Sequence, residues 1–251
     1  MRNELKLSKY ERCLFVVAEN VIQKITASVT LYDTKFAYTS AYFLAIIAQE
    51  ELAKLILLPI AKELDELNDL ISDRGSAFYS HRAKQKLIST YGFFKKDWEE
   101  LEKRKQGCLY VEFDESETPN YCKINRKECY EEIKSALWAY QYQMKCISSE
   151  KEFSKDFIKT LLFLTKILGG CVRDKLPSLH KEMMEEAKKA VIKIEKDKKL
   201  AEKEVLESIF KNPYELIRVV KNALGSDYKD FLRKIQKMSF DEMVQDLKNY
   251  L

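Results

Sequence analysis

The sequence is poor in the residues that punctuate short strands and tight turns. It has only 6 Gly and 4 Pro in 251 residues, which disfavours a fold of many short strands joined by tight turns. Lys, Glu, Leu, Ala and Ile dominate instead, and this usage favours helices. Because 46% of the residues are hydrophobic, the chain can also bury a sizeable core. The composition predicts an all-α protein.

Histidine and closely paired cysteines are also scarce. Only His81 and His180 are present, and none of the six cysteines forms a CxxC pair. With no signal peptide ahead of them, the cysteines are expected to be reduced thiols in the cytoplasm rather than disulfides or zinc ligands. A metal-dependent hydrolase built on Glu50 and Glu51 would lack histidine partners at ligand spacing. We therefore expect no metal and no other cofactor.

The chain has little excess of either charge, since 44 basic residues stand against 40 acidic ones. The formal net charge of +4 gives no general attraction for a polyanion. Any affinity for nucleic acid must come from local clusters of cations.

A long apolar run without charges is lacking too. The stretch AYFLAIIAQEELAKLILL over 41–58 is about long enough to span a bilayer, but it carries Glu50, Glu51 and Lys54 near its centre. Each of these would cost roughly 2.5–3.5 kcal/mol at the middle of a membrane helix. The stretch therefore predicts a central helix of a soluble bundle, and no membrane is expected as a partner.

The charges of this helix lie within its apolar face. At 100° per residue, Glu50 and Lys54 share the stripe of the isoleucines and leucines, and Glu51 lies at its edge. A buried carboxylate must be paired, protonated or turned toward a polar cavity. We expect Glu50 to find its partners in one cationic part of the sequence, among His81, Arg82, Lys84 and Arg104. A purely structural ion network is the alternative.

Apolar residues recur at three- and four-residue steps along most of the chain, which predicts a series of helices. GCLYVEFDES, after the cationic segment, has the composition of an extended loop or a lone strand. The predicted helices cover about 8–31; 36 to Pro59 or slightly beyond; 76–104, with Ser76 as N-cap and His81 in the second turn; Asn125, with Glu128 in a capping box, to Ile147; and 151–168, ended by Gly169 and Gly170.

The composition changes near residue 170. Between Lys181 and Glu204 there are eight basic and seven acidic residues, a mixture that is typical of a solvated helix face rather than a binding surface. Asn212 and Pro213 break this segment, and short helices are expected after them. We predict a helical domain over 1–170 and a charged helical extension over 171–251.

Three segments follow one another in the order AIIAQEELAK, FYSHRAKQK and RKQGCLYVEF. In this order and spacing they resemble the landmark segments of the AbiV family of bacterial abortive-infection, or phage-defence, proteins, over roughly residues 10–150. Two departures occur in the third segment, where Cys108 separates the glycine from the leucine and Glu112 replaces an aspartate. The matching residues are Glu50, Glu51 and Lys54; His81 and Lys84; and Gly107, Leu109, Tyr110 and Val111.

AbiV-like proteins are similar to the HEPN superfamily of compact helical bundles, which often dimerise and include many metal-independent ribonucleases. The resemblance therefore implies a HEPN-like bundle, a homodimer, and RNA or a phage or host protein as partner. The ribonucleases of that superfamily use an arginine a few residues before a histidine. Arg74 and His81, with six residues between them, are similar to that pattern.

Metal-independent cleavage of RNA needs a base, an acid and positive charge beside the phosphorus. A histidine suits proton transfer near neutral pH, and an arginine matches two phosphate oxygens. His81 and Arg74 fit those roles, and Glu50 or Glu51 would orient the imidazole. Four further cations are candidates for holding the flanking phosphates: Lys54, Arg82, Lys84 and Arg104.

Two simpler alternatives stay open. His81 has no catalytic role if its imidazole only makes a hydrogen bond to Glu50 or Glu51. Arg74 is an ordinary loop arginine if it only lies near the acidic residues Asp69 and Asp73. The chain would then be a non-catalytic interaction module that binds a phage or host protein, with its charged C-terminal helix as the contact. An enzyme requires Arg74 and His81 to face one solvent-open groove.

Overall fold

The computed structural model describes residues 7–34, 37–90, 98–109, 112–113, 119–120, 123–185 and 212–235. The protein is all-α, as the composition predicts. Two pairs of residues form a short antiparallel ladder, β1 (Glu112–Phe113) with β2 (Pro119–Asn120), and 177–185 are also helical. The helices are α1 (Lys9–Tyr32), α2 (Tyr38–Glu63), α3 (Leu67–Ser72), α4 (His81–Thr90), α5 (Trp98–Leu109), α6 (Arg126–Ser149), α7 (Lys155–Lys175), α8 (Pro213–Leu224) and α9 (Tyr228–Ile235).

Helix α2 is the centre of the bundle. It packs against α1, α4, α5, α6 and α8, and almost every residue from Ala45 to Ala61 is buried. A helix that is apolar on nearly all sides has to be surrounded in this way. The helix continues through Pro59 to Glu63, so the predicted end at or slightly beyond the proline is confirmed.

Helix α1 lies along α2 and also contacts α6 and α7. Ser8 and Glu11 form a capping box at its start, which satisfies free N–H groups of the first turn. By length and composition α1 is the one helix in the described part of the chain that could cross a membrane, with a mean hydropathy of 1.3. A core helix of a soluble protein has the same composition, and one such helix does not indicate a membrane protein.

Helix α4 begins later than predicted. The Ser80 hydroxyl accepts from the N–H of Ala83 at 3.2 Å, so Ser80 rather than Ser76 caps the helix. Ser76 lies in the preceding turns, where its hydroxyl donates to the carbonyl of Leu70 at 2.8 Å. His81 is therefore the first residue of α4, and the predicted place in the second turn is wrong. This position lets the imidazole reach past the helix end.

The segment over 107–116, predicted as an extended loop or a lone strand, begins as the last turn of a helix. Gly107, Cys108 and Leu109 form the last turn of α5, and only Glu112 and Phe113 pair as a strand. Tyr110 and Val111 lie outside the described residues. The helical turn extends the inward face of α5, because the buried Leu101 and Lys105 and the half-buried Cys108 follow each other at helical spacing.

Helix α7 does not end at the two glycines. It runs through Gly169 and Gly170 to Lys175, because Leu168 and Val172 continue the buried face and tertiary packing outweighs the low helix propensity of glycine. By contrast, the capping box of Asn125 and Glu128 is confirmed at the start of α6.

The division at about residue 170 stays a prediction. That position falls inside α7, and Leu161, Val172, Leu216 and Phe231 from both sides of it belong to one core cluster. The mixed-charge segment over 186–211 lies outside the described residues. Asn212 accepts from the N–H of Tyr214 at 3.1 Å and caps α8, which confirms that short helices follow Asn212 and Pro213.

Candidate functional site

The site is built around the carboxylate of Glu50 on α2. Its side chain is 1% exposed, and three donors from two other helices converge on it. The Oε1 atom accepts from Gln85 Nε2 at 2.6 Å and from Lys105 Nζ at 2.9 Å. The Oε2 atom is 2.5 Å from Nδ1 of His81. These bonds satisfy the oxygens that the central helix buries, which a lone carboxylate could not tolerate there.

His81 combines this buried partner with an open ring. Its side chain is 61% exposed, because it lies at the first position of α4. With the Glu50 carboxylate as acceptor, Nδ1 carries the hydrogen, and this assigns the tautomer in which Nε2 is the free nitrogen. Nε2 makes no hydrogen bond to any residue that the structure describes. The carboxylate of Glu50 therefore orients the imidazole, and the exposed Nε2 can exchange a proton with a molecule that binds at the surface.

Glu51 forms a second, neighbouring set of contacts. Its Oε2 accepts from Lys54 Nζ at 2.8 Å and from Asn20 Nδ2 at 2.7 Å, and its Oε1 is 3.6 Å from Lys84 Nζ. Burial raises the pKa of Glu51, but the hydrogen bond and charge of Lys54 outweigh burial, so the pKa is lowered. Burial lowers the pKa of Lys84, and the charge of Glu51 offsets this only in part. Glu51 does not contact the imidazole.

Lys105 links Glu50 to a third carboxylate. Its Nζ is 2.9 Å from Glu50 and 2.6 Å from Glu102 Oε2, and its side chain is 4% exposed. Burial lowers the pKa of Lys105, but hydrogen bonds to both carboxylates outweigh burial, so the pKa is raised. The network thus pairs three carboxylates with three ammonium groups: Glu50, Glu51 and Glu102 with Lys54, Lys84 and Lys105.

Two of the predicted arginines, Arg74 and Arg104, lie apart from this network. Arg74 is exposed in the turns before α4 and makes no hydrogen bond or ion pair with the part of the chain that the structure describes. Arg82 follows His81 on the exposed side of α4. Arg104 pairs with Glu100 and Glu128, each at 3.0 Å. Arg104 as a partner of Glu50 is therefore wrong, and the adjacent Lys105 has that place.

Lys54 and Lys84, two of the candidates for holding phosphates, both contact Glu51. Lys54 pairs with Glu51 rather than with Glu50, because the i,i+3 direction brings the ammonium to Oε2 of Glu51 and over the ring of Phe78, 4.7 Å from its centroid. Lys54 and Lys84 have side chains only 14% and 4% exposed. Contact with a phosphate would require them to leave Glu51.

Sequence reasoning named His81 among four candidate partners of Glu50, and the hydrogen bond confirms this one. It missed four members of the network: Asn20, Gln85, Glu102 and Lys105. Gln85 lies one turn after His81 on α4, so the period of that helix was a usable signal. Asn20 and Glu102 carried no signal, since nothing in the spacing relates them to α2.

Among the described residues no group of three His, Cys, Asp or Glu side chains is placed to hold a metal ion. Glu50 contacts His81, whereas Glu51 contacts Asn20 and Lys54. The polar groups of the site are those of proton transfer and charge pairing.

No family model, no curated protein and no solved structure matches this chain.

Proposed function

We propose that the protein is a metal-independent endoribonuclease of phage defence that acts in the bacterial cytoplasm. The observation that carries the proposal is the exposed imidazole of His81 on the buried carboxylate of Glu50, at 2.5 Å. The resemblance of the three landmark segments to AbiV and HEPN proteins supplies the substrate, RNA. Membership of those families is part of the proposal.

In this proposal Nε2 of His81 takes the proton from a ribose 2′-hydroxyl. The 2′-oxygen attacks the adjacent phosphorus, its bond to phosphorus forms, and the bond to the leaving 5′-oxygen breaks. An acid returns a proton to that oxygen, leaving a cyclic 2′,3′-phosphate and a free 5′-hydroxyl. Glu50 is the positioning residue, because its bond to Nδ1 keeps Nε2 free and stabilises the charged ring.

The acid and the phosphate contacts need further groups. We propose that a homodimer brings a second copy of His81 to the scissile bond as the acid. Arg74 and Arg82 flank His81 in the sequence and are exposed, so they are better placed for phosphate than the buried Lys84. A single monomer mass in light scattering at micromolar concentration would refute the dimer and, with it, the site shared by two copies of His81.

The test is incubation of the purified chain with total RNA and tRNA in the presence of a chelator. Because acid–base catalysis contributes roughly 100-fold to 10,000-fold, His81→Ala should reduce cleavage at least about 100-fold. His180→Ala is the matched control, since the other histidine lies in 177–185, in a part of the chain that contributes nothing to the Glu50 network. Equal cleavage by wild type and His81→Ala, or none by either, refutes the nuclease.

A second candidate is the non-catalytic interaction module, and one observation favours it. Leu162, Phe163 and Ile167 form an apolar stripe on α7, and each is about half exposed. Such a stripe is typical of a protein contact. In a phage plating assay, the module predicts that Phe163→Glu abolishes protection and His81→Ala does not. The nuclease predicts that His81→Ala abolishes it.

A further inference from the structure

A groove lies beside the Glu50 network, between α1, α2 and the segment around 71–78. Its volume is about 360 Å³, within the range of roughly 300–1,000 Å³ that is common for ligand sites. The floor is apolar and contains Cys13, Val17, Ile71 and Phe78. Val16 stands at its edge and is 54% exposed. The groove therefore offers apolar contact to a ring-sized group.

The rim of the groove is cationic. Lys9, Arg12 and Lys54 line it, against one carboxylate, Glu51. Lys54 is held by Glu51, and Lys9 donates to the side chain of Asn68. Arg12 is exposed, and its guanidinium has no hydrogen bond or ion pair within the described ranges. An occupant that is apolar at one end and anionic at the other fits this arrangement, because an arginine fork binds phosphate oxygens.

Two residues that line the groove are close in sequence to the residues of the His81 site. Glu51, which lines it, is adjacent in sequence to Glu50, the residue that holds the imidazole. Phe78 lines it too and precedes His81 by three residues in the turns that lead into α4. The stretches of chain around Glu50 and before His81 therefore contribute residues both to the site and to the groove.

We propose that this groove binds the base of one nucleotide of single-stranded RNA, with Arg12 on the phosphate of that nucleotide. The inference rests on the proposed nuclease function and names a subsite for its substrate. The base packs on Val16, Val17 and Ile71, since the ammonium of Lys54 already lies over the ring of Phe78. The contact is apolar and leaves the base identity open, in keeping with sequence-tolerant binding of single strands.

The first test is binding of a short single-stranded RNA that carries 2′-O-methyl groups and cannot be cleaved, measured by fluorescence anisotropy. Val16→Glu places a carboxylate at the edge of the groove and should weaken binding at least about tenfold. Met184→Glu is the matched control, because Met184 is 51% exposed, much like Val16, but lies in the helical segment 177–185, and it should leave the affinity unchanged. Equal affinities of Val16→Glu and wild type overturn the proposal.

Cys13 supplies a second test that needs no substitution. Cys13 and Cys171 are both half-buried thiols, and burial raises the pKa of each. Saturating RNA should slow alkylation of Cys13 at least about fivefold and leave Cys171 on α7 unaffected, as read by peptide mass spectrometry. An oligonucleotide of the same length without bases should not protect Cys13. Equal alkylation of Cys13 with and without RNA overturns the proposal, even if Val16→Glu fails to fold.

The two proposals fail separately. Cleavage that depends on His81 without protection of Cys13 retains the nuclease and rejects the groove. Protection of Cys13 without cleavage retains the groove as an RNA-binding site and rejects the nuclease.

Discussion

Loss of the charge of Lys105 should lower the stability of the fold more than loss of most other charges. Lys105→Met keeps a long apolar side chain but removes the ammonium that Glu50 and Glu102 share at 2.9 and 2.6 Å. Because the Glu50 side chain is only 1% exposed, water cannot replace the lost partner. Removing one partner of a buried ion pair costs about 3–5 kcal/mol, a large part of a typical total of about 5–15 kcal/mol.

Urea denaturation followed by circular dichroism measures this loss. With a slope of about 3 kcal/mol per molar urea, the midpoint should fall by roughly 1–1.7 M. Lys221→Met is the matched control, because Lys221 binds Glu63 at 2.7 Å with its side chain 53% exposed, and such exposed pairs contribute about 0–1 kcal/mol. Adding Glu50→Gln to Lys105→Met should recover stability, since it removes the uncompensated charge.

Two results would refute this reasoning. One is a loss below about 1 kcal/mol for Lys105→Met, which would mean that the pair behaves like an exposed one. The other is a double variant that is less stable than Lys105→Met by the full cost of the single Glu50→Gln change, since independent sites add in this way.

Three further predictions follow from the helices and the network. Gly169→Ala should raise the free energy of unfolding by about 0.5–1 kcal/mol, because the position is inside α7 and, its own turn of helix aside, no atom of the described residues lies within 4 Å of an added Cβ; a loss of stability would indicate a helix end instead. Asn125→Ala should lower the free energy of unfolding by about 0.5–2 kcal/mol, because the side chain accepts from the N–H of Glu128 at 2.9 Å; an unchanged urea midpoint would contradict the cap. Glu51 has a folded-state pKa below its ordinary value of 4.5, so its contribution is complete above about pH 4.5 and is lost as the pH falls through the lower value. Glu51→Gln should therefore flatten the dependence of stability on pH below about 4.5, and a curve parallel to wild type would refute this.

The sequence was most informative where a charge conflicted with its surroundings. Glu50 in an apolar stripe required a partner on another element, and His81 was found because the chain offers few candidates. The same reasoning failed between Arg104 and Lys105, which are adjacent in sequence. One residue on a helix is a rotation of about 100°, and the rotation of α5 against α2 is set by packing that no local pattern reveals.

Helix ends were predictable only where local chemistry controls them. Asn125 and Glu128 satisfy each other within four residues, so the start of α6 could be read directly. The pair Gly169 and Gly170 has the local form of a helix end, yet α7 continues, since burial of Leu168 and Val172 on either side outweighs glycine's cost.

By itself, the sequence determined the helical class, the central position of α2 and the need for a counter-charge at Glu50. These follow from composition, period and the cost of burying charge, which are local or additive. Only the tertiary structure decided that Lys105 and Gln85 complete that site and that His81 remains open to solvent. The contacting residues are 31 to 55 positions apart along the chain, and their meeting depends on how whole helices pack.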